Sequence, residues 1–231
     1  MKYVLSFSGG KDSTALLFYL LENKMPLDKV VFVNTTKEHP ELERQARKIL
    51  SGIQCETREV RLQFDYYFSD HILTKGKYKG QKGYGWPGAR RRWCTRLKIN
   101  AIKSVTSPDD VQYVGIAADE ADRTLKNTGR GTKLYPLVEA GITGDMALQM
   151  CYDRGYDWEG LYEEFPRSGC YCCPLQRVGS LKKLFLTRPK LWAEMLEMDK
   201  NSPFKFEKTR TLNDFDERFK IEICNNKQPT I

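Results

Sequence analysis

Short apolar runs alternating with amphipathic stretches dominate the first half of the chain. Tyr3-Val4-Leu5-Ser6-Phe7 and the β-branched run Lys29-Val30-Val31-Phe32-Val33-Asn34 have the length and residue types of strands. Cys55 to Leu62 alternates as a third strand, and Val111 to Ile116 reads as a fourth. Helical spacing is predicted over Thr14 to Asn23, over Glu41 to Leu50 behind Pro40, and over Trp93 to Lys103. The aromatic stretch Phe64 to Leu73 is also predicted to be helical. Beyond it Gly76, Gly80, Gly83, Gly85 and Gly88 break the chain into a long loop of the kind that seldom lacks a role. The later portion reads as helices over Thr143 to Arg154, Gln176 to Thr187 and Pro189 to Met198. Strands alternating with helices predict an α/β fold built on a doubly wound parallel sheet, with ligands at the carboxyl ends of the strands. That puts the segment after Phe7, Asn34-Thr35-Thr36 and Gly115 to Arg123 along one edge. The expected division is an α/β domain over 1–140 and a helical region with a cysteine cluster over 141–231.

The turn between the first strand and the first helix is Ser8-Gly9-Gly10-Lys11-Asp12-Ser13. Paired glycines let the backbone turn tightly and approach a ligand. The unbonded N–H groups of the following helix, the Lys11 ammonium and the hydroxyls of Ser8 and Ser13 favour an anion there. The spacing matches neither G-x-x-x-x-G-K-[ST] nor G-x-G-x-x-G, so this phosphate cradle is neither a Walker A loop nor a dinucleotide fingerprint. A glycine turn capped by Asp12 or Ser13 is the plainer alternative.

The chain has 231 residues, 40% of them hydrophobic and 29% charged, enough for a buried core. No apolar run approaches the ~20 residues of a membrane span, and Val4 to Phe7 is too short for a secretion signal, so no membrane partner and a cytoplasmic location are expected. The net charge of +8 is concentrated: Thr74 to Lys103 holds ten basic and no acidic residues, leaving the remainder at −2. Tyr78, Tyr84, Trp86 and Trp93 are interleaved with those charges, as binding of a polyanion such as tRNA or DNA, or of a phosphorylated ligand, would require. A solvated basic face is the simpler alternative for Arg90 to Arg92.

Seven cysteines, three of them in Cys170-Tyr171-Cys172-Cys173, suit thiols kept reduced for metal or redox work. Cys170-x-x-Cys173 followed by Pro174, with Cys94 at a helix start and Cys172 as a fourth ligand, suits a 4Fe–4S cluster, a tetrahedral zinc, or a set of merely buried thiols. Neither histidine has the spacing of a metal site or a triad. His39 lies beside the expected nucleotide edge, and His71 is expected to pack.

The hexapeptide closely resembles the S-G-G-x-D-S signature of the PP-loop ATP pyrophosphatase superfamily. Further segments, in order, resemble its phosphoadenylylsulfate (PAPS) reductase family. They are Val33-Asn34-Thr35-Thr36-Lys37-Glu38-His39-Pro40-Glu41, Arg92-Trp93-Cys94-Thr95-Arg96-Leu97-Lys98, Gly115 to Arg123, and Tyr135-Pro136-Leu137 before Thr143. The resemblance covers roughly residues 1–175. It implies an adenine nucleotide, ATP or PAPS, with phosphates on Ser8, Gly9, Gly10, Lys11, Asp12 and Ser13. Asn34 and Thr35 would line the nucleoside pocket beside Gly115, and Arg96, Lys98 and Arg123 would meet anionic groups. In relatives that use ATP, Mg²⁺ bridges the phosphates, which points to Asp12 or Asp119.

The family's reductases attack sulfate sulfur with a cysteine in a C-terminal E-C-G-[LI]-H motif, whereas this chain reads Glu222-Ile223-Cys224-Asn225-Asn226-Lys227. Cys224 therefore lacks the motif's Gly and His, and an inert thiol near the end of a strand is an equal expectation. Catalytic roles are expected for Lys11, Asp12 and Cys94. The activities implied are sulfonucleotide reduction with an electron-donor protein, or ATP-dependent sulfur transfer to tRNA or DNA in which sulfur is held on an open cluster iron. A nucleotide-binding module without catalysis is the third alternative.

Overall fold

The computed structural model describes residues 1–125 and 131–226. Two compact units are formed, Met1–Leu62 with Leu97–Gly169, and Gln63–Arg96 with Cys170–Ile231. The expected boundary at 140 is therefore not where the units divide. The segment 63–96 leaves the first unit as an excursion, and the helical portion up to Gly169 stays with the sheet.

The first unit is an α/β sandwich. Its elements are β1 Tyr3–Phe7, α1 Lys11–Glu22, β2 Lys29–Asn34, α2 Pro40–Ser51 and β3 Glu56–Arg61, and then, from Leu97 onward, most of α3 Trp93–Lys103. There follow β4 Val111–Val114, α4 Asp122–Leu125, β5 Lys133–Leu134, α5 Pro136–Glu139, α6 Gly144–Tyr152 and α7 Leu161–Glu164. The sheet has five strands in the order β3-β2-β1-β4-β5, and every neighbouring pair is parallel. Parallel neighbours need crossover connections, and α1 and α2 supply the first two. The strand order runs outward from β1 through β2 to β3, then resumes on the other side of β1 with β4. A crevice at the carboxyl ends of β1 and β4 follows from that reversal.

The burial pattern explains the order. Val30, Val31, Phe32 and Val33 in β2 and Val4, Leu5 and Phe7 in β1 are all buried, as central strands covered on both faces must be. The outer strand β3 is almost wholly exposed and reads Glu-Thr-Arg-Glu-Val-Arg, charges that discourage edge-to-edge pairing. On one face Val4, Val31 and Val33 pack with Ala101, joined by Val60, Leu62, Ile102 and Val105. Helix α1 packs against α6, whose N-cap Thr143 accepts a hydrogen bond from the Met146 amide. The buried Cys151 of α6 lies against α1, its Sγ 3.6 Å from the Lys11 carbonyl oxygen.

The second unit is largely helical, with α8 Val178–Thr187, α9 Pro189–Lys200 and α10 Leu212–Asn226. Its core is aromatic: Phe185, Trp192, Phe215 and Phe219 form one group, while Phe68, Trp86 and Phe206 form another that meets it at Phe215. Buried indoles need acceptors, and here carboxylates supply them. Trp86 Nε1 donates to Asp199 Oδ1 at 2.6 Å, and Trp192 Nε1 donates to Asp216 Oδ1 at 2.8 Å. Residues 64–70 are helical, with a wide turn over Tyr66–Asp70, so the helix expected over Phe64 to Leu73 forms but ends three residues early. Cys224 lies exposed on α10, a helix, so the strand expected there is corrected. Lys227 falls outside the described residues. No described helix is long and apolar enough to cross a membrane.

Two outcomes are expected from this packing. A Cβ at Gly115 would lie 2.9 Å from the backbone of Ser13, whereas one at Gly179 in α8 meets nothing within 4 Å. Gly115→Ala should cost about 1–3 kcal/mol in chemical denaturation, and Gly179→Ala should cost nothing measurable. Burial pushes the Cys151 thiol up to about 12, with the nearby Arg154 guanidinium opposing it. Below that pH the group is a protonated thiol, so alkylation at pH 8 followed by mass spectrometry should modify exposed Cys224 and leave Cys151 untouched.

Candidate functional site

The turn Ser8–Ser13 leaves β1 and enters α1 beside the end of β4, at the point where the strand order reverses. Gly9 has φ +78°, a left-handed conformation, and a Cβ there would lie 2.9 Å from both Ala46 and Leu42 of α2. Only glycine satisfies both conditions. The first helical hydrogen bond of α1 runs from the Thr14 amide to Gly10 O at 3.0 Å, so the amides of Lys11, Asp12 and Ser13 have no partner within the helix. Ser13 Oγ accepts from the Ser8 amide at 3.1 Å and donates to Gly10 O at 3.0 Å, locking the turn from inside.

The rest of the first unit braces the turn from outside. Trp158 Nε1, fully buried, donates to Gly9 O at 2.8 Å. Lys11 Nζ donates to Asp12 Oδ1 at 2.7 Å and to Gly144 O at 2.8 Å, while the Gly144 amide donates to Asp119 Oδ1 at 2.8 Å. Asp12 and Asp119 thus reach the Lys11–Gly144 junction from two sides. The Lys11 amide donates to Tyr162 Oη at 2.7 Å, and Tyr162 Oη also contacts Ser168 Oγ. Surplus amides, an ammonium group and hydroxyls around one glycine turn are the donor set a phosphate needs, so the turn fits the phosphates of a nucleotide.

At the end of β2 the polar residues are buried and mutually bonded. Asn34 has no exposed surface, and its Nδ2 donates to Glu43 Oε1 and Glu59 Oε1 at 2.9 Å each, while its Oδ1 accepts from the Thr36 amide at 2.7 Å. Burial alone would raise the Glu59 carboxyl, but the Asn34 amide and the Arg47 guanidinium together hold it below its ordinary value. Thr35 Oγ1 accepts from the Lys37 amide at 3.3 Å, and the Thr35 amide donates to Glu38 Oε2 at 3.0 Å. Asn34 and Thr35 therefore stand at the expected sheet end, with these side chains engaged in shaping the Thr36 turn. His39 is buried in front of α2, its ring 4.7 Å from that of Phe165.

Two of the basic candidates are engaged by carboxylates. Lys98 Nζ pairs with Glu38 Oε1 at 3.2 Å, and Arg123 pairs with Glu120, which Arg167 also meets at 3.2 Å. Arg96 is exposed in the second unit. Cys94, Cys170, Cys172 and Cys173 all belong to that unit too, with Cys172 buried and the other three half-buried. The Cys173 amide donates to Cys170 O at 3.1 Å, closing a tight turn. Among the described residues no three His, Cys, Asp or Glu side chains form a group that could hold a metal ion.

Trp158, Tyr162 and Ser168 carry much of the site's geometry, yet nothing in their local sequence marks them. Their role depends on contacts across about 150 residues of chain, as the 149-residue separation between Trp158 and Gly9 illustrates, and no local spacing encodes that.

Comparison with known proteins agrees with this geometry. The model of the phosphoadenosine phosphosulfate reductase domain matches residues 2–176, which include every element of the sheet and the glycine turn. An uncharacterized protein of Methanocaldococcus jannaschii is 27% identical over 202 residues, covering 82% of this chain and 39% of that protein. The chain thus spans about two fifths of the length of this relative. Matched over most of its length by that domain, the chain belongs to the phosphoadenosine phosphosulfate reductase domain family.

Proposed function

We propose that this chain binds an adenine nucleotide, ATP or PAPS, with its phosphates on Ser8–Ser13, and uses it in sulfur chemistry, as a sulfonucleotide reductase or a sulfur-transfer enzyme. The observation that carries the proposal is the position of the glycine turn. It opens α1 at the strand-order reversal, with three amides outside the helical bonding pattern and Lys11 Nζ alongside. In this reading the amides of Asp12 and Ser13 bond phosphate oxygens directly, and the Lys11 ammonium leaves Asp12 or Gly144 O to do the same. Asp12, released from Lys11, or Asp119 would hold Mg²⁺, an ion usually held by one or two carboxylates with phosphates and water. Lys98 and Arg123 would meet the sulfate or 3′-phosphate once freed from Glu38 and Glu120.

A specific observation favours nucleic acid as the acceptor in the sulfur-transfer version. In the second unit Tyr66, Tyr67, His71 and Tyr84 form a cluster of rings with centroids 5.1–6.5 Å apart, Tyr66 being 46% exposed. The basic segment around them keeps few partners: Lys82 pairs with Asp70, and Arg91 lies over the Phe204 ring at 3.4 Å. Lys75, Lys79, Arg90 and Arg92 make no ion pair among the described residues. One exposed and three half-buried rings, with unpaired cations in the same segment, suit stacking on unpaired bases, with the cations meeting their phosphates. A sulfur-donor protein is part of this version.

Calorimetric titration with ATP, PAPS and adenylylsulfate tests the first proposal. At least one should bind, and Lys11→Ala should weaken it by about tenfold or more. Binding of none by folded protein removes the proposal, and a preference for ATP with AMP release selects sulfur transfer over reduction. For the acceptor, replacing Lys75, Lys79, Arg90 and Arg92 with Gln should lower the salt slope of single-strand binding by about 0.7 for each phosphate no longer neutralised. An unchanged slope removes this segment as the nucleic-acid surface.

A further inference from the structure

The Lys11 amide is the first surplus donor at the head of α1, and Tyr162 Oη takes it at 2.7 Å. Ser168 Oγ contacts the same phenol oxygen. A Cβ on Gly10 would stand 3.1 Å from Ser168 Oγ and 3.2 Å from Tyr162 Oη, so the two hydroxyls lie directly against the glycine turn. Burial raises the Tyr162 phenol above its ordinary value, opposed by its bonds to Ser168 and the Lys11 amide. The group is therefore a neutral O–H, with a lone pair turned to the Lys11 amide and its proton available to Ser168.

An amide has one proton to donate. A phosphate oxygen that approached the turn would need the same donor, and as an anion it would form the stronger, charge-assisted bond. The surrounding contacts permit such an exchange without dismantling the brace. Trp158 holds Gly9 through a carbonyl oxygen, for which a phosphate does not compete, and Phe165 anchors the far end of α7 against His39. The Tyr162 side chain has to turn away from Lys11, giving up the edge contact of its ring with that of Trp158, centroids 4.9 Å apart.

We propose that Tyr162, backed by Ser168, is an exchangeable occupant of the phosphate site, one that holds the Lys11 amide when the turn is empty and yields it to a nucleotide phosphate, and so sets the affinity of the loop. This rests on the reading of Ser8–Ser13 as a phosphate site. The pair would also screen the turn against weak anions, because a ligand must displace an internal hydroxyl before it gains the amide.

The test compares wild type with Tyr162→Phe, which keeps the ring and removes the hydroxyl, by calorimetric titration with ATP, PAPS and adenylylsulfate. The phenylalanine variant should bind the preferred nucleotide roughly three- to tenfold more tightly, the size expected when one net hydrogen bond no longer has to be given up. Ser168→Ala strips the phenol of its proton acceptor and should shift affinity in the same direction by less. It serves as the reporter if the phenylalanine variant fails to fold. Unchanged or weaker binding by a variant with wild-type circular dichroism overturns the exchange and leaves the phosphate site standing. Absence of binding by wild type and both variants overturns the exchange and the phosphate site together.

Discussion

The backbone amides that open α1 are the constraint on which the first unit turns. A helix always begins with donors that its own bonding cannot satisfy, and here they emerge where the strand order of a parallel sheet reverses. Neighbouring features follow from keeping the turn close and stiff. Gly9 adopts a conformation a side chain would oppose and lets α2 approach; Gly115 lets the end of β4 touch the backbone of Ser13. Trp158, Lys11 and Tyr162 then tie the turn to the segment between Gly144 and Ser168. The stiffness has a chemical use: donors held in place need no reorganisation when an anion arrives.

The sheet was legible because its strands are local and strongly patterned. Tyr3–Phe7 and Lys29–Asn34 appear with the bounds their apolar runs suggest, and α3 spans the residues its spacing predicts. β5 was not legible, since its two residues have no pattern to detect and gain strand character only by pairing with β4. The helix over residues 64–70 was legible in its aromatic spacing, whereas the wide turn over Tyr66–Asp70 that ends it has no local signature. The division into units was hidden as well, because both are discontinuous in the chain, which crosses between them three times.

The site was legible in its loop and much less so in its walls. Ser8–Ser13 announces itself through residue types at fixed spacing, whereas nothing in the sequence around Asn34 signals that its side chain secures Glu43, Glu59 and the Thr36 amide. The cysteines show the opposite limit. Cys170-x-x-Cys173 has the spacing of metal ligands, yet spacing does not decide whether Cys94 and Cys172 turn toward the same point, and the described side chains form no such group. Cys224, on an exposed helix and without the motif of the reductase nucleophile, adds little to the case for reduction. What remains distinctive is a braced glycine turn with surplus amides, and a hydroxyl pair lying against it.

Backbone amide exchange followed by mass spectrometry, with and without ATP or PAPS, addresses that turn most directly. A saturating nucleotide should slow exchange in peptides spanning residues 8–14 more than anywhere else in the first unit, because phosphate oxygens then bond amides that the helix leaves over. Bound nucleotide that leaves exchange at 8–14 unchanged while slowing another segment would contradict it.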